Sequence, residues 1–101
     1  MKRTHLDFAG FFDVRLTTAD AQAAQMTLDP GRATGGPDNH HADSDQWLYV
    51  VSGSGRATVE GEDVRLEAGD LAVIEAGETH EIANDGDEPL ETLNLYVPPD
   101  Y

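Results

Sequence analysis

The sequence predicts an all-β fold, an antiparallel sandwich or barrel. Three observations carry this. Turn signals recur throughout, including Asp29-Pro30-Gly31, Gly35-Gly36-Pro37, Ser52-Gly53-Ser54-Gly55, Glu60-Gly61-Glu62, Ala68-Gly69-Asp70, Ala76-Gly77-Glu78 and Asn84-Asp85-Gly86. Between them, short segments alternate apolar and polar residues, the mark of a half-buried strand. No window of about 11 residues or more sustains the 3.6-residue apolar period of a helix. The nearest, "TTADAQAAQ", has too few large apolar side chains to anchor one. Short strands with glycine-rich turns every ~8–12 residues belong to antiparallel sandwiches and barrels.

The elements follow in order. "FDVRLT" puts Phe12, Val14 and Leu16 on one face, and "AQMTL" groups Ala24, Met26 and Leu28. After the polar stretch "NHHADSDQ" comes the apolar run "WLYVV". If Gln46 faces inward, Leu48 and Val50 do too, and Trp47, Tyr49 and Val51 take the other face. Those aromatics suit either a second subunit or a covering strand such as "FDVRLT". "RATVE" alternates Ala57 and Val59, "DVRLE" alternates Val64 and Leu66, "LAVIE" is nearly all apolar, and "TLNLYV" alternates Leu93, Leu95 and Val97. "VPPDY" cannot continue a ladder through Pro98 and Pro99, so a terminal tail or a dimer contact is expected there.

Composition narrows the function. At 101 residues the chain is expected to be one domain, residues 1–101, and its 39% hydrophobic content suits a packed core. No apolar run is long enough for a membrane helix or a signal peptide, so a cytoplasmic protein is the expectation. Without cysteine, disulfides and thiol nucleophiles are excluded, and any metal must be held by histidine, carboxylate or amide groups. The net charge of −14 opposes nucleic-acid backbones and anionic membranes. No P-loop, nucleophile elbow or dinucleotide fingerprint is present.

Histidine is the informative residue because the chain has only four. His5 lies in an unpatterned segment and reads as a surface residue. His41 precedes one strand, and His80 follows the Gly77 turn 39 positions later. In an antiparallel barrel two such positions can converge on one interior spot. Imidazole is a common ligand of divalent transition metals. His40 and His41 are adjacent, so alternation sends them to opposite faces unless a bulge intervenes. Asp43 and Asp45 read as a solvated turn.

"GDLAVIEAGETHEIAN", residues 69–84, resembles the second motif of the cupin family, G-x5-P-x-G-x2-H-x3-N. Gly69, Gly77, His80 and Asn84 fall in register, with Glu75 at the proline position. The first cupin motif, G-x5-H-x-H-x3–4-E-x6-G, is matched more loosely over about residues 35–53. Counting back from Gly53 places Gln46 at the glutamate, His41 at the second histidine and Asn39 at the first, with Ala33 in place of the leading glycine. The resemblance covers roughly residues 21–97 and implies a double-stranded β-helix, or jelly-roll, barrel. Residues 8–30 would then cover the barrel or form a dimer interface.

The resemblance also implies a divalent transition metal (iron, manganese, nickel or zinc) held by His41, His80, Gln46 and Asn39, with His40 as the alternative to Asn39. Gln46 would either ligate or hold His41 in place. Cupins with such sites are similar to dioxygenases, isomerases and decarboxylases, which makes a metal-dependent oxygenase or isomerase one expectation. The other is a non-catalytic barrel that binds or senses a small molecule through a degenerate metal site. Either would act on a small polar ligand, as a homodimer, without nucleic acid or membrane.

Overall fold

Period-two alternation becomes strand wherever the sequence shows it. The computed structural model describes residues 1–35 and 41–101. Among the described residues the strands are β1 (Phe12–Thr17), β2 (Gln22–Leu28), β3 (Asp45–Ser52), β4 (Ser54–Val59), β5 (Glu62–Glu67), β6 (Leu71–Ile74), β7 (His80–Ala83) and β8 (Leu90–Val97). They form a five-stranded sheet, ordered β1-β2-β8-β3-β6, and a three-stranded sheet, ordered β5-β4-β7, with all pairings antiparallel. No helix long and apolar enough to cross a membrane occurs among the described residues.

The sheets enclose Met26, Leu28, Leu48, Val50, Ala57, Leu66, Ile74, Ile82 and Leu90, with Phe12 and Val59 packed against them. β2 and β3 orient as the alternation predicts: Ala24, Met26, Leu28, Leu48 and Val50 are all buried. β8 does not. Its buried face carries Leu90, Thr92, Asn94 and Tyr96, while Leu95 and Val97 remain about two-fifths exposed at 39% and 40%. Register explains the inversion. β8 lies between β2 and β3, with Asn94 opposite both Ala24 and Leu48, so its polar row must share their inward face. Val64 shares a face with the buried Leu66 yet stays 52% exposed, because β5 is an edge strand. β7 has no counterpart among the alternating segments. Its four residues begin with His80 and Glu81, which hide the buried pair Ile82 and Ala83.

Two turns fix the frame. Between β4 and β5, Glu60 and Gly61 both take positive φ, 49° and 79°, as a two-residue type I′ hairpin turn requires. Between β3 and β4, Gly53 has φ 83°, and a Cβ there would lie 2.2 Å from the Pro89 carbonyl oxygen. That close approach requires glycine.

Candidate metal and ligand site

Ladder pairing brings the two histidines together. β3 runs beside β6, with Gln46 opposite Ile74, and the chain then turns at Gly77 to enter β7 at His80. The Gly77 amide donates to the His41 carbonyl at 2.8 Å, tying the loop before β3 to this turn. Both imidazoles are buried, and their rings lie nearly parallel, 28° apart, with centroids separated by 5.0 Å. They line a cavity of about 260 Å³ with Gln46, Thr34, Met26, Tyr96 and Tyr101. Asn39 and His40, candidates for a further ligand, lie outside the described residues.

Hydrogen bonds set the tautomers. His80 Nδ1 lies 3.2 Å from the Glu78 carbonyl oxygen. A carbonyl only accepts, so Nδ1 carries the proton and, in the neutral ring, Nε2 carries the lone pair. His41 Nδ1 pairs with the Asp100 carboxylate, which also only accepts. Both rings therefore have their Nδ1 sides engaged by oxygen, the arrangement usual for metal-ligating histidine.

Gln46 is 4% exposed, and its Nε2 donates to Asn94 Oδ1 at 3.0 Å. Asn94 Nδ2 in turn donates to Thr92 Oγ1 at 3.0 Å. In this arrangement Gln46 Oε1 is left buried without a hydrogen-bond partner among the described residues. An unpartnered buried carbonyl costs roughly 1–3 kcal/mol, so it calls for an occupant. Two imidazoles with a buried amide oxygen beside them form a donor set that suits a borderline divalent transition metal. No cluster of three or more His, Asp or Glu side chains arranged to hold a metal occurs among the described residues.

Tyr96 and Tyr101 form the aromatic wall. Their rings meet edge to face at 4.9 Å, and the Tyr96 ring meets His41 in the same way at 5.1 Å. Burial pushes the Tyr96 phenol far above its ordinary value, with Tyr101 and Asp100 adding to the shift, and burial also raises Tyr101. Both hydroxyls stay protonated near neutrality.

The Asp100 and Tyr101 contacts revise the expectation for "VPPDY". β8 ends at Val97, as the prolines require, but residues 98–101 pack against the site. Asn84, in register with the cupin motif, binds backbone: its Nδ2 donates to the Leu28 and Glu88 carbonyls at 2.8 and 2.7 Å. It staples the β2 and β7 ends rather than facing the cavity. Asp43 is exposed as expected, whereas Asp45 opens β3 and accepts the Ala76 amide at 2.9 Å. His5 is exposed. Gln22, Asn94, Asp100 and Tyr101 were not singled out by sequence. Gln22 alone carried a usable signal, since it continues the inward period of Ala24, Met26 and Leu28. Asn94 did not, because the alternating apolar residues of its strand, Leu93, Leu95 and Val97, lie on the opposite face.

A family model described as "Cupin domain" matches residues 24–96. The chain belongs to the cupin family. Its two sheets are the walls of the double-stranded β-helix barrel. Over 74 residues, 73% of this chain, this cupin is 34% identical to an oxalate-binding protein from Thermotoga maritima, and it spans only 60% of that relative's length. A crystal structure of a Bacillus halodurans protein superposes with a TM-score of 0.85 at 25% identity, covering 90% of this chain and 72% of that one. A Thermotoga maritima structure described as a predicted oxalate decarboxylase gives a TM-score of 0.73 at 31% identity, covering 80% and 69%.

Proposed function

We propose that this cupin holds a divalent transition metal through His41, His80 and Gln46 Oε1, and uses it to bind a small polar ligand in the adjoining cavity. The observation that carries the reading is Gln46 Oε1, a buried acceptor without a partner among the described residues, beside two imidazoles whose Nδ1 atoms are engaged. Asn39 or His40 would supply a further donor. Three or four protein donors leave positions on such an ion for a ligand, and the ion would act there as a Lewis acid.

The lining narrows the ligand class. No lysine or arginine lines the cavity among the described residues, and the protein carries a net charge of −14. A small carboxylate, such as the oxalate for which a relative is named, would therefore bind only through the metal, with the Tyr96 and Tyr101 hydroxyls as donors. Oxygenase- or isomerase-type chemistry is compatible with open metal positions. Among the described residues no carboxylate lines the cavity directly to act as base. The competing reading, a metal-free barrel, is favoured by the neutral Gln46 at the family's glutamate position.

Metal analysis of protein purified without an affinity tag or chelator separates the two. Stoichiometric iron, manganese, nickel or zinc, lost in His80→Ala, supports the proposal, and oxalate should then bind calorimetrically only to metal-loaded protein. Protein that neither carries metal nor takes it up on titration contradicts it.

We also propose a homodimer through the outer face of the five-stranded sheet. Trp47, Tyr49, Val51, Leu71, Val73, Leu95 and Val97 are each about 40–64% exposed, and cross-strand pairing places Val73, Trp47 and Leu95 in one row. β1 pairs beside β2 at the sheet edge and leaves Trp47 and Tyr49 open. A second copy presents the same uncharged patch, whereas the acidic remainder of its surface is repelled.

A further inference from the structure

We propose that Asp100 is a positioning residue for the metal. Its carboxylate holds the Nδ1 proton of His41, fixes Nε2 as the coordinating nitrogen, and returns to the site the negative charge that Gln46 lacks. The inference rests on the metal-binding reading above and extends it to a residue outside both cupin motifs.

Three observations support it. Asp100 Oδ2 contacts His41 Nδ1 across 59 residues of sequence, and the pair is shielded, with side chains 31% and 9% exposed. The contact is also built rather than incidental. Gln22, 4% exposed on β2, ties this segment down: Oε1 accepts the Asp100 and Tyr101 amides at 3.2 and 2.8 Å, and Nε2 donates to the Tyr101 carbonyl at 2.7 Å as well as to Thr17 Oγ1 at 3.2 Å. Ser44 Oγ donates to the Pro98 carbonyl at 2.7 Å, and the Tyr101 ring packs on Phe12 and Tyr96, both at 4.9 Å. Finally, the donors His41, His80 and Gln46 are together neutral. A carboxylate hydrogen-bonded to one of them is how charge reaches a metal without occupying a coordination position, and such partners change affinity by about 10–100-fold.

The test pairs two readouts on wild type, Asp100→Asn and Asp100→Ala. In metal-free protein, ¹⁵N NMR of the His41 ring reports the tautomer directly. Wild type should show Nδ1 protonated, Asp100→Asn should keep that state through its amide oxygen, and Asp100→Ala should show a tautomer mixture. In the second readout, cobalt(II) and zinc(II) titration should give affinities about 10–100-fold lower for Asp100→Ala and intermediate for Asp100→Asn. A wild-type tautomer and affinity retained in Asp100→Ala would overturn the inference while leaving the metal site intact. Wild type that takes up neither ion would instead overturn the metal reading, and with it the role of Asp100 toward a metal.

Discussion

The two faces of β3 and β8 are opposites of what burial ordinarily sorts. Their outer face holds Trp47, Tyr49, Leu95 and Val97, all about two-fifths exposed, while the inner face buries Gln46, Thr92 and Asn94 at 4% exposure or less. Along that inner face the character changes within a few residues. Leu48 and Val50 belong to the apolar core, whereas Gln46, two residues earlier, joins the histidines. Buried polar groups are costly unless satisfied, and exposed aromatics add little to the stability of a lone barrel. In the reading proposed above, a sheet inverted in this way would carry function on both sides, a ligand site within and a partner surface without.

The largest effect is expected in the apolar core, at Leu48. Leu48→Ala should cost about 4 kcal/mol in denaturant unfolding, because the neighbouring core leaves a cavity. Near-wild-type stability would mean that this end of the barrel is not close-packed.

Gln46→Glu sharpens the polar end. Burying a carboxylate without its counter-ion should cost the metal-free protein roughly 3 kcal/mol. Affinity for cobalt(II) should rise at least tenfold, about 1.4 kcal/mol, which is modest beside a full charge acting on a dication in a partly dry site. If affinity is unchanged, position 46 does not touch the ion.

On the outer face, Trp47→Glu should weaken self-association about 30-fold, near 2 kcal/mol for a central aromatic anchor, as read by sedimentation. Monomer stability should change by no more than about 0.5 kcal/mol. An unaltered sedimentation profile would point to a different interface.

The smallest effect is expected far from both faces, at Asp7. The Gln25 side-chain hydrogen bond, with the Ala9 amide, holds its carboxyl below the usual 3.8. A lowered value means the folded state binds this proton less readily than the unfolded chain. Its contribution is therefore present above that usual value and fades as pH falls through the folded one. The thermal-stability gap between wild type and Asp7→Asn should accordingly narrow from pH 6 to about pH 2.5. A gap that widens on acidification would contradict the sign.

Most of the framework was legible because strands announce themselves by alternation, and "FDVRLT" corresponds residue for residue to β1. The inward Gln46-Leu48-Val50 row followed from period two alone. β8 misled for a physical reason: its apolar residues face outward, so alternation gave the period correctly and the polarity backwards. β7 was invisible because a four-residue strand beginning with histidine and glutamate has no apolar pattern. At the candidate site, glycine and histidine spacing singles out His41 and His80, which the fold brings to one cavity. Asp100 left no trace, since a carboxylate after two prolines on an acidic chain looks like solvated surface. Tertiary folding brings it to His41, through the buried Gln22 amide, the Ser44 hydroxyl and the packing of Tyr101.

The most direct test of the account is an anomalous-scattering map of crystals grown from tag-free protein with zinc(II) or cobalt(II). The account predicts one strong peak about 2.0–2.2 Å from His41 Nε2, His80 Nε2 and Gln46 Oε1. A map without a peak between the two imidazoles, or with the ion bound only at the acidic surface, would contradict it.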